Sequence, residues 1–346
     1  MDFLRPEFEN AINPFVEGDV VMIGRFAYTG VDIIKLAGDE AYKQAFNDWI
    51  WEDWIPGRRE RKDEILALPA NATRYEELKQ VIKCGRAIPF VGSGMSCPTG
   101  MPTWVRFLRE TRKQARGFTA QQLETLLKTG RFETAATRIF DAMPSRLFNE
   151  RFEASFVLKS GKPIKGPVQL LPYLFNSIAI TTNFDGILEK AYGNAGQTFQ
   201  VILYGTGVGD YRKKVSAGTR CLLKLHGNYA ETHSRVLTKK EYDAFYKKNS
   251  SGREELSFIF RGGGLIFLGC SLRQDRTMDL LEKISDTDEN MPRHCALLQQ
   301  PKTKRETQNR EHFLAKRNVF PIWYDGEHDT DIEALIVGLM EDLKKF

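Results

Sequence analysis

Four short segments hold residue types that could do chemistry. The first is Gly92-Ser93-Gly94-Met95-Ser96-Cys97-Pro98-Thr99-Gly100-Met101-Pro102-Thr103-Trp104. Glycines just after a strand let backbone N–H groups approach a diphosphate, and a following helix N-terminus adds favourable partial charge. Cys97 stands where the dinucleotide fingerprint has its third glycine, so an ordinary strand-to-helix turn is the competing reading. The second segment is Thr181-Thr182-Asn183-Phe184-Asp185. The Asn183 amide both donates and accepts, which suits a sugar hydroxyl or a water. Asp185 reads first as the N-cap of a helix bearing Leu188 and Ala191, and second as a ligand contact. The third is Lys224-Leu225-His226-Gly227, where an imidazole near neutral pKa can accept a proton from a hydroxyl or a water. A lone histidine is more often structural, and His233, His294, His312 and His328 are read that way. The fourth is Leu268-Gly269-Cys270-Ser271-Leu272-Arg273-Gln274-Asp275, whose glycine and small polar residues can pack against a nucleoside. Cys270 has no neighbouring His or paired Cys, which argues against a reactive thiol.

The elements around these segments would bring them together. Ala87–Val91, Ser177–Thr181, Cys221–Leu225, Leu265–Leu268, Cys295–Leu298 and Val319–Tyr324 are continuous apolar runs, suited to strands covered on both faces of a parallel sheet. Between them lie helical patterns. Trp104, Phe107 and Leu108 share a face; Thr238 to Glu241 forms a capping box ahead of Tyr242, Phe245 and Tyr246; and Ile332, Leu335, Ile336, Leu339, Met340 and Leu343 make a stripe on a last helix. The expectation is an α/β, Rossmann-like, doubly wound and mostly parallel sheet. Residues 106–165 show helical periodicity without a strand and read as a helical insertion. Residues 1–75, rich in aromatics, read as a mainly helical N-terminal extension for oligomer or partner contact. Residues 76–346 form the expected ligand-binding domain, with Asn71-Ala72-Thr73 as a turn before a helix near Tyr75.

The 346 residues, 42% hydrophobic and 27% charged, exclude a disordered, fibrous or disulfide-stapled chain. A net charge of +5 is too slight to argue for nucleic acid. The basic stripe Arg106, Arg109, Arg112, Lys113 and Arg116 lacks interleaved aromatics and reads as a solvated face. Apolar stretches such as Ala334 to Met340 are too short for a bilayer, and no secretion signal opens the chain. Five scattered cysteines without a C-x-x-C pair point to a reducing cytoplasm and away from a zinc site.

In their order, VGSGMSCPTGMPTW, TTNFD, KLHG and FLGCSLRQD resemble the sirtuin fold, and more closely the sirtuin-like NADases of bacterial anti-phage defence. The resemblance covers about Ile82 to Phe346. It implies a Rossmann-like NAD-binding core with a helical module and cleavage of the nicotinamide–ribose bond. By position it makes His226 the catalytic histidine and Asn183 and Asp185 the ribose-side pair, with Asn183 assigned to catalysis by positioning the water or the ribose. It sets Gly92, Ser93 and Gly94 at the phosphates, with Ser96 just beyond, and Gly269, Cys270 and Ser271 beside the adenosine; Thr103 and Trp104 are cofactor-binding candidates, Trp104 either walling the nicotinamide pocket or packing in the core. Deacylating sirtuins carry a four-cysteine zinc module after the histidine motif, whereas Glu231 to Tyr246 holds no Cys. They carry Asp-Phe-Arg where this chain has Thr103-Trp104-Val105, and a Phe-Gly-Glu-type peptide-pairing strand not found here. The expected activity is therefore hydrolysis of free NAD+, without a metal, by a cytoplasmic homo-oligomer acting in abortive infection. A second defence component, such as a HerA-type ATPase or an Argonaute-like protein, is the implied partner. An NAD-dependent protein deacylase and a non-catalytic NAD or ADP-ribose scaffold are the alternatives.

Overall fold

The computed structural model describes residues 1–13, 21–23, 25–216, 218–273 and 275–346. Part of the expected N-terminal extension, residues 14–20, lies outside them. The chain divides into two compact units, Met1–Asp63 and Glu64–Phe346. The first holds helices Arg5–Ile12, Gly30–Leu36 and Asp39–Trp49 and an antiparallel hairpin of β1 (Val21–Ile23) and β2 (Phe26–Tyr28). Its core gathers around Phe8, whose ring lies 5.6 Å from that of Tyr42 and 5.4 Å from that of Phe46.

The second unit is built on seven parallel strands: β3 (Ala87–Val91), β4 (Ile178–Thr181), β5 (Val201–Tyr204), β6 (Cys221–Lys224), β7 (Gly264–Leu268), β8 (His294–Gln299) and β9 (Val319–Tyr324). Their order is β5-β6-β4-β3-β7-β8-β9, a Rossmann-like α/β fold as expected from the continuous apolar runs. Every residue of β3 and β7 is buried, the consequence of helices on both faces. The chain builds outward from β3 to β4 on one side and to β7 on the other, so the order reverses at β3. The carboxyl ends of β3, β4 and β7 thus frame the crevice where doubly wound sheets take ligands. β5 was not among the expected strands; it is a four-residue edge strand that pairs, among the described residues, with β6 and is only partly covered.

Helices Trp104–Arg112, Ala120–Lys128, Phe132–Asp141 and Ser145–Phe156 occupy the expected insertion. They have a core of their own, around Phe107, Leu123, Ile139, Phe148 and Phe152. The basic stripe on the first of these helices is partly tied down: Arg109 holds Glu124 at 2.7 and 2.9 Å, and Arg112 donates to Phe118 O at 2.9 Å. The capping box at Thr238 and Glu241 forms as expected. Asn71 does not belong to a turn. It opens helix Asn71–Lys83, because its buried amide bonds Ile65 O and Trp323 O, each at 2.7 Å, and accepts Trp323 N–H at 3.0 Å. Among the described residues no helix is long and apolar enough to cross a membrane.

Candidate active site

All four chemistry-bearing segments line one cleft of ≈ 1140 Å³ at the carboxyl edge of the sheet. Strand β4 sets Asn183. Thr181 Oγ1 donates to Val91 O at 2.7 Å and accepts Asn183 N–H at 3.0 Å, so the loop leaves the strand in a fixed direction. The Asn183 amide donates to Gly92 O at 2.9 Å and to Ser96 Oγ at 3.1 Å. A carbonyl such as Gly92 O only accepts, which identifies the nitrogen. Both amide hydrogens are therefore occupied, and Asn183 offers the cleft its oxygen, an acceptor, rather than the donor-and-acceptor pair expected from its residue type. Phe184, the next residue, packs into the aromatic core of the insertion, 4.8 Å from Phe152 and 5.5 Å from Trp104 between ring centroids. This loop is thereby held from both sides.

Asp185 is buried, and its carboxylate accepts Ile187 N–H at 3.1 Å. The N-cap position of helix Ile187–Asn194 falls on Gly186, so Asp185 sits one residue before the cap expected for it while still satisfying the first helical N–H. Burial raises its pKa, against the lowering effects of Lys224, Ile187 N–H and the Ser96 hydroxyl. Beneath it Lys224, with no solvent exposure, bonds Asp185 O and lies 2.7 Å from Glu189 Oε1. Removing one partner of a buried pair strands the other charge. We expect Lys224→Met to lower stability by about 3 kcal/mol in urea unfolding; an unchanged midpoint would show that the pair contributes nothing.

His226 follows β6 by two residues. Its Nδ1 lies 3.2 Å from the Tyr242 hydroxyl, and its buried Nε2 has no hydrogen-bond partner among the described residues. Burial pushes its pKa down to about 4. The ring is therefore neutral near pH 7, and an unpartnered polar nitrogen of a cleft-lining side chain is the kind of atom a ligand satisfies.

The glycine loop is organised differently from its expected use. Gly92 N–H bonds Leu268 O at 2.8 Å and Gly94 N–H bonds Gly269 O at 3.0 Å. A Cβ on Gly92 would meet Gly269 O at 2.5 Å, and one on Gly94 would meet Gly269 Cα at 2.8 Å. These glycines are demanded by the approach of two loops. What remains for an anion is Ser93 and the short 3-10 helix Ser93–Thr99. Thr103 caps helix Trp104–Arg112 by accepting Arg106 N–H at 3.2 Å, and Trp104 stacks on Phe107 at 5.2 Å while lining the cleft. Gly269 adopts φ +64°, where a Cβ would strike Met95 N at 2.5 Å. Burial raises the Cys270 thiol far above its usual range, in keeping with an inert thiol. Ser271 O accepts from Arg310, which also holds Leu272 O at 2.7 Å.

Sequence reasoning missed several cleft residues. Asp275 caps helix Arg276–Ser285, accepting Thr277 N–H at 2.9 Å and Met278 N–H at 3.0 Å, and burial raises its pKa to about 6. Arg276 grips Glu133 of the insertion through two bonds of 2.9 Å. His328, read as structural, lines the cleft opposite Gly94. Tyr242 was read only as part of a helix face. The Asp-x-Thr pattern at Asp275 is a capping signal visible in sequence; the other contacts are long-range and leave none.

A Rossmann-like sheet with a cleft at its reversal point, walled by a helical module, defines an α/β class in which ligands gather at that point. Within it, residues 177–322 match the family model of the SIR2-like domain, so this stretch of the chain is sirtuin-like. The match contains the Asn183, His226 and Gly269 segments; the glycine loop precedes it. No curated protein matches the chain. Among the described residues no group of three or more His, Cys, Asp or Glu could hold a metal ion.

Proposed function

We propose that the chain is an NAD+ glycohydrolase that converts NAD+ and water into nicotinamide and ADP-ribose. The observation that carries this reading is the pairing, in one cleft, of an Asn183 oxygen with its amide hydrogens engaged elsewhere and a His226 Nε2 with no partner. The cleft volume of ≈ 1140 Å³ is ample for a dinucleotide. Ser93 would face the diphosphate side, while the buried Ser96, which does not line the cleft, would hold Asn183 and Asp185 in place. Gly269 and Ser271 would flank the adenosine, with Cys270 as packing. Trp104 would wall the nicotinamide.

Cleavage breaks the bond between the ribose C1′ and the nicotinamide nitrogen. The electron pair goes to the ring, neutralising its charge, so the leaving group needs no proton. Positive charge builds on the ribose, as in glycoside hydrolysis. Asn183 Oδ1 would accept from the attacking water or a ribose hydroxyl and hold it in line. As the water oxygen bonds C1′ it becomes acidic, so even a weak base such as His226 can take its proton at Nε2. Asp185 and Asp275 would place negative potential near the cationic sugar.

For the defence role, the support is the resemblance alone: depletion of NAD+ by a homo-oligomer, released from latency by a partner such as a HerA-type ATPase. Product analysis tests the reaction. The protein, alone and with its neighbouring gene products, is incubated with NAD+ and an acetylated peptide and analysed by mass spectrometry. ADP-ribose and nicotinamide are expected. Acetyl-ADP-ribose would identify a deacylase, and intact NAD+ with bound nucleotide would identify a scaffold.

The pH dependence follows from burial. His226 is bare at Nε2 above its folded value of about 4, against an ordinary 6.5. The contribution of His226 to kcat/KM is then retained as pH falls through 6.5 and lost on falling through about 4. A pH–rate profile of wild type against His226→Gln checks this, and a His226-dependent limb at the ordinary imidazole value would contradict it.

A further inference from the structure

His226 does not set its own chemistry. A neutral imidazole carries one hydrogen, and Nε2 can take a proton only when that hydrogen is on Nδ1. Among the described residues the side chain hydrogen-bonded to Nδ1 is Tyr242, whose hydroxyl oxygen is 3.2 Å away. The rings lie 5.0 Å apart at 65°, and Phe184 lies 6.3 Å from the imidazole. Tyr242 is itself held. It stacks on Tyr246 at 8°, and Tyr246 bonds Thr277 Oγ1 at 3.0 Å. Its helix, Lys239–Phe245, is capped by Glu241, which accepts Thr238 N–H at 2.7 Å, and is tied to the insertion by Lys239 N–H on Thr137 Oγ1 at 2.9 Å.

We infer that Tyr242 is a positioning residue: its oxygen accepts the Nδ1–H of His226 and so fixes the tautomer that leaves Nε2, unpartnered among the described residues, bare. The phenolic hydrogen then turns into the cleft that Tyr242 also lines. The opposite arrangement, Tyr242 donating to Nδ1, leaves an Nε2–H that cannot take a proton. Because the imidazole is neutral near pH 7, the choice of tautomer matters there. This inference deepens the proposed reaction and rests on it for its purpose, while the tautomer itself can be read without turnover. An outer hydrogen-bond partner of this kind changes a site's activity by about 10- to 100-fold where it has been removed from metal-bound histidines, and we take the same scale here.

The test is nitrogen NMR of protein labelled with 15N-histidine, in wild type, Tyr242→Phe and His226→Gln. The last assigns His226 among the five histidines. Wild type is expected to carry hydrogen on Nδ1 of His226 and none on Nε2. In Tyr242→Phe, which keeps the ring and its stacking, the Nε2–H form should grow. In the same variant kcat for NAD+ should fall about 10- to 100-fold, with KM within about twofold. Hydrogen on Nε2 in wild type, or the same tautomer in both proteins, would overturn the inference. Should Tyr242→Phe fail to fold, the wild-type spectrum decides alone. Should wild type leave NAD+ intact, the proposed reaction fails, and the spectra still judge Tyr242.

Discussion

His226→Ala is expected to reduce NAD+ cleavage by about 100- to 10,000-fold, the range lost when a proton-transfer group is removed. The fold should tolerate the change. His226 holds its loop through its backbone carbonyl, which accepts Val236 N–H at 3.0 Å, and this bond survives truncation. Among the described residues the side chain's hydrogen bond is the one to Tyr242, a residue that also lines the cleft. Nicotinamide release measured beside thermal unfolding separates the two effects. Asn183→Ala should lose activity on the same scale but also some stability, about 1–3 kcal/mol, because Gly92 O and Ser96 Oγ lose their donor. A double variant with full activity would exclude both residues from the chemistry.

The second large effect is structural. Gly269→Ala is expected to destabilise the protein by roughly 2–6 kcal/mol, combining a left-handed backbone conformation with a contact that cannot relax cheaply. Gly269 has φ +64°, and its added Cβ would lie 2.5 Å from Met95 N and 2.8 Å from Met95 Cγ. The backbone atom is the harder of the two, since moving it moves the glycine loop and Gly92 O with it, the acceptor of Asn183. Loss of stability should therefore come with loss of nucleotide binding in whatever fraction remains folded. Denaturant unfolding together with calorimetry of ADP-ribose binding reads both. A variant as stable as wild type would mean the two loops separate easily. Their contact would then not fix the position of Gly92 O.

These effects also show what one sequence can and cannot disclose. The buried strands β3, β4, β6, β7, β8 and β9 were legible because helices on both faces demand continuous apolar runs. β5, covered by one neighbour and four residues long, lies at the edge where that demand is weakest. The placement of Asn183 and His226 at one rim followed from their position after parallel strands. How Asn183 is used did not follow, because its amide is engaged by a carbonyl 91 residues away. The glycines were read as room for a ligand; Gly92 and Gly94 are small because the Gly269 loop lies against them. Asn71 looked like a turn residue by type, and its buried bonds to Trp323, 252 residues distant, make it a helix start. Tyr242 reaches His226 across an irregular loop of no fixed period. In each case local pattern gave the element, and long-range packing decided what its polar atoms do.

The central claim is that an imidazole and a carboxamide oxygen meet one sugar at the sheet's reversal point. A crystal structure of the protein with ADP-ribose tests it most directly. The account predicts the distal ribose within hydrogen-bond distance of both Asn183 Oδ1 and His226 Nε2, with the diphosphate beside Ser93. Nucleotide bound elsewhere, or a ribose touching neither atom, would contradict it.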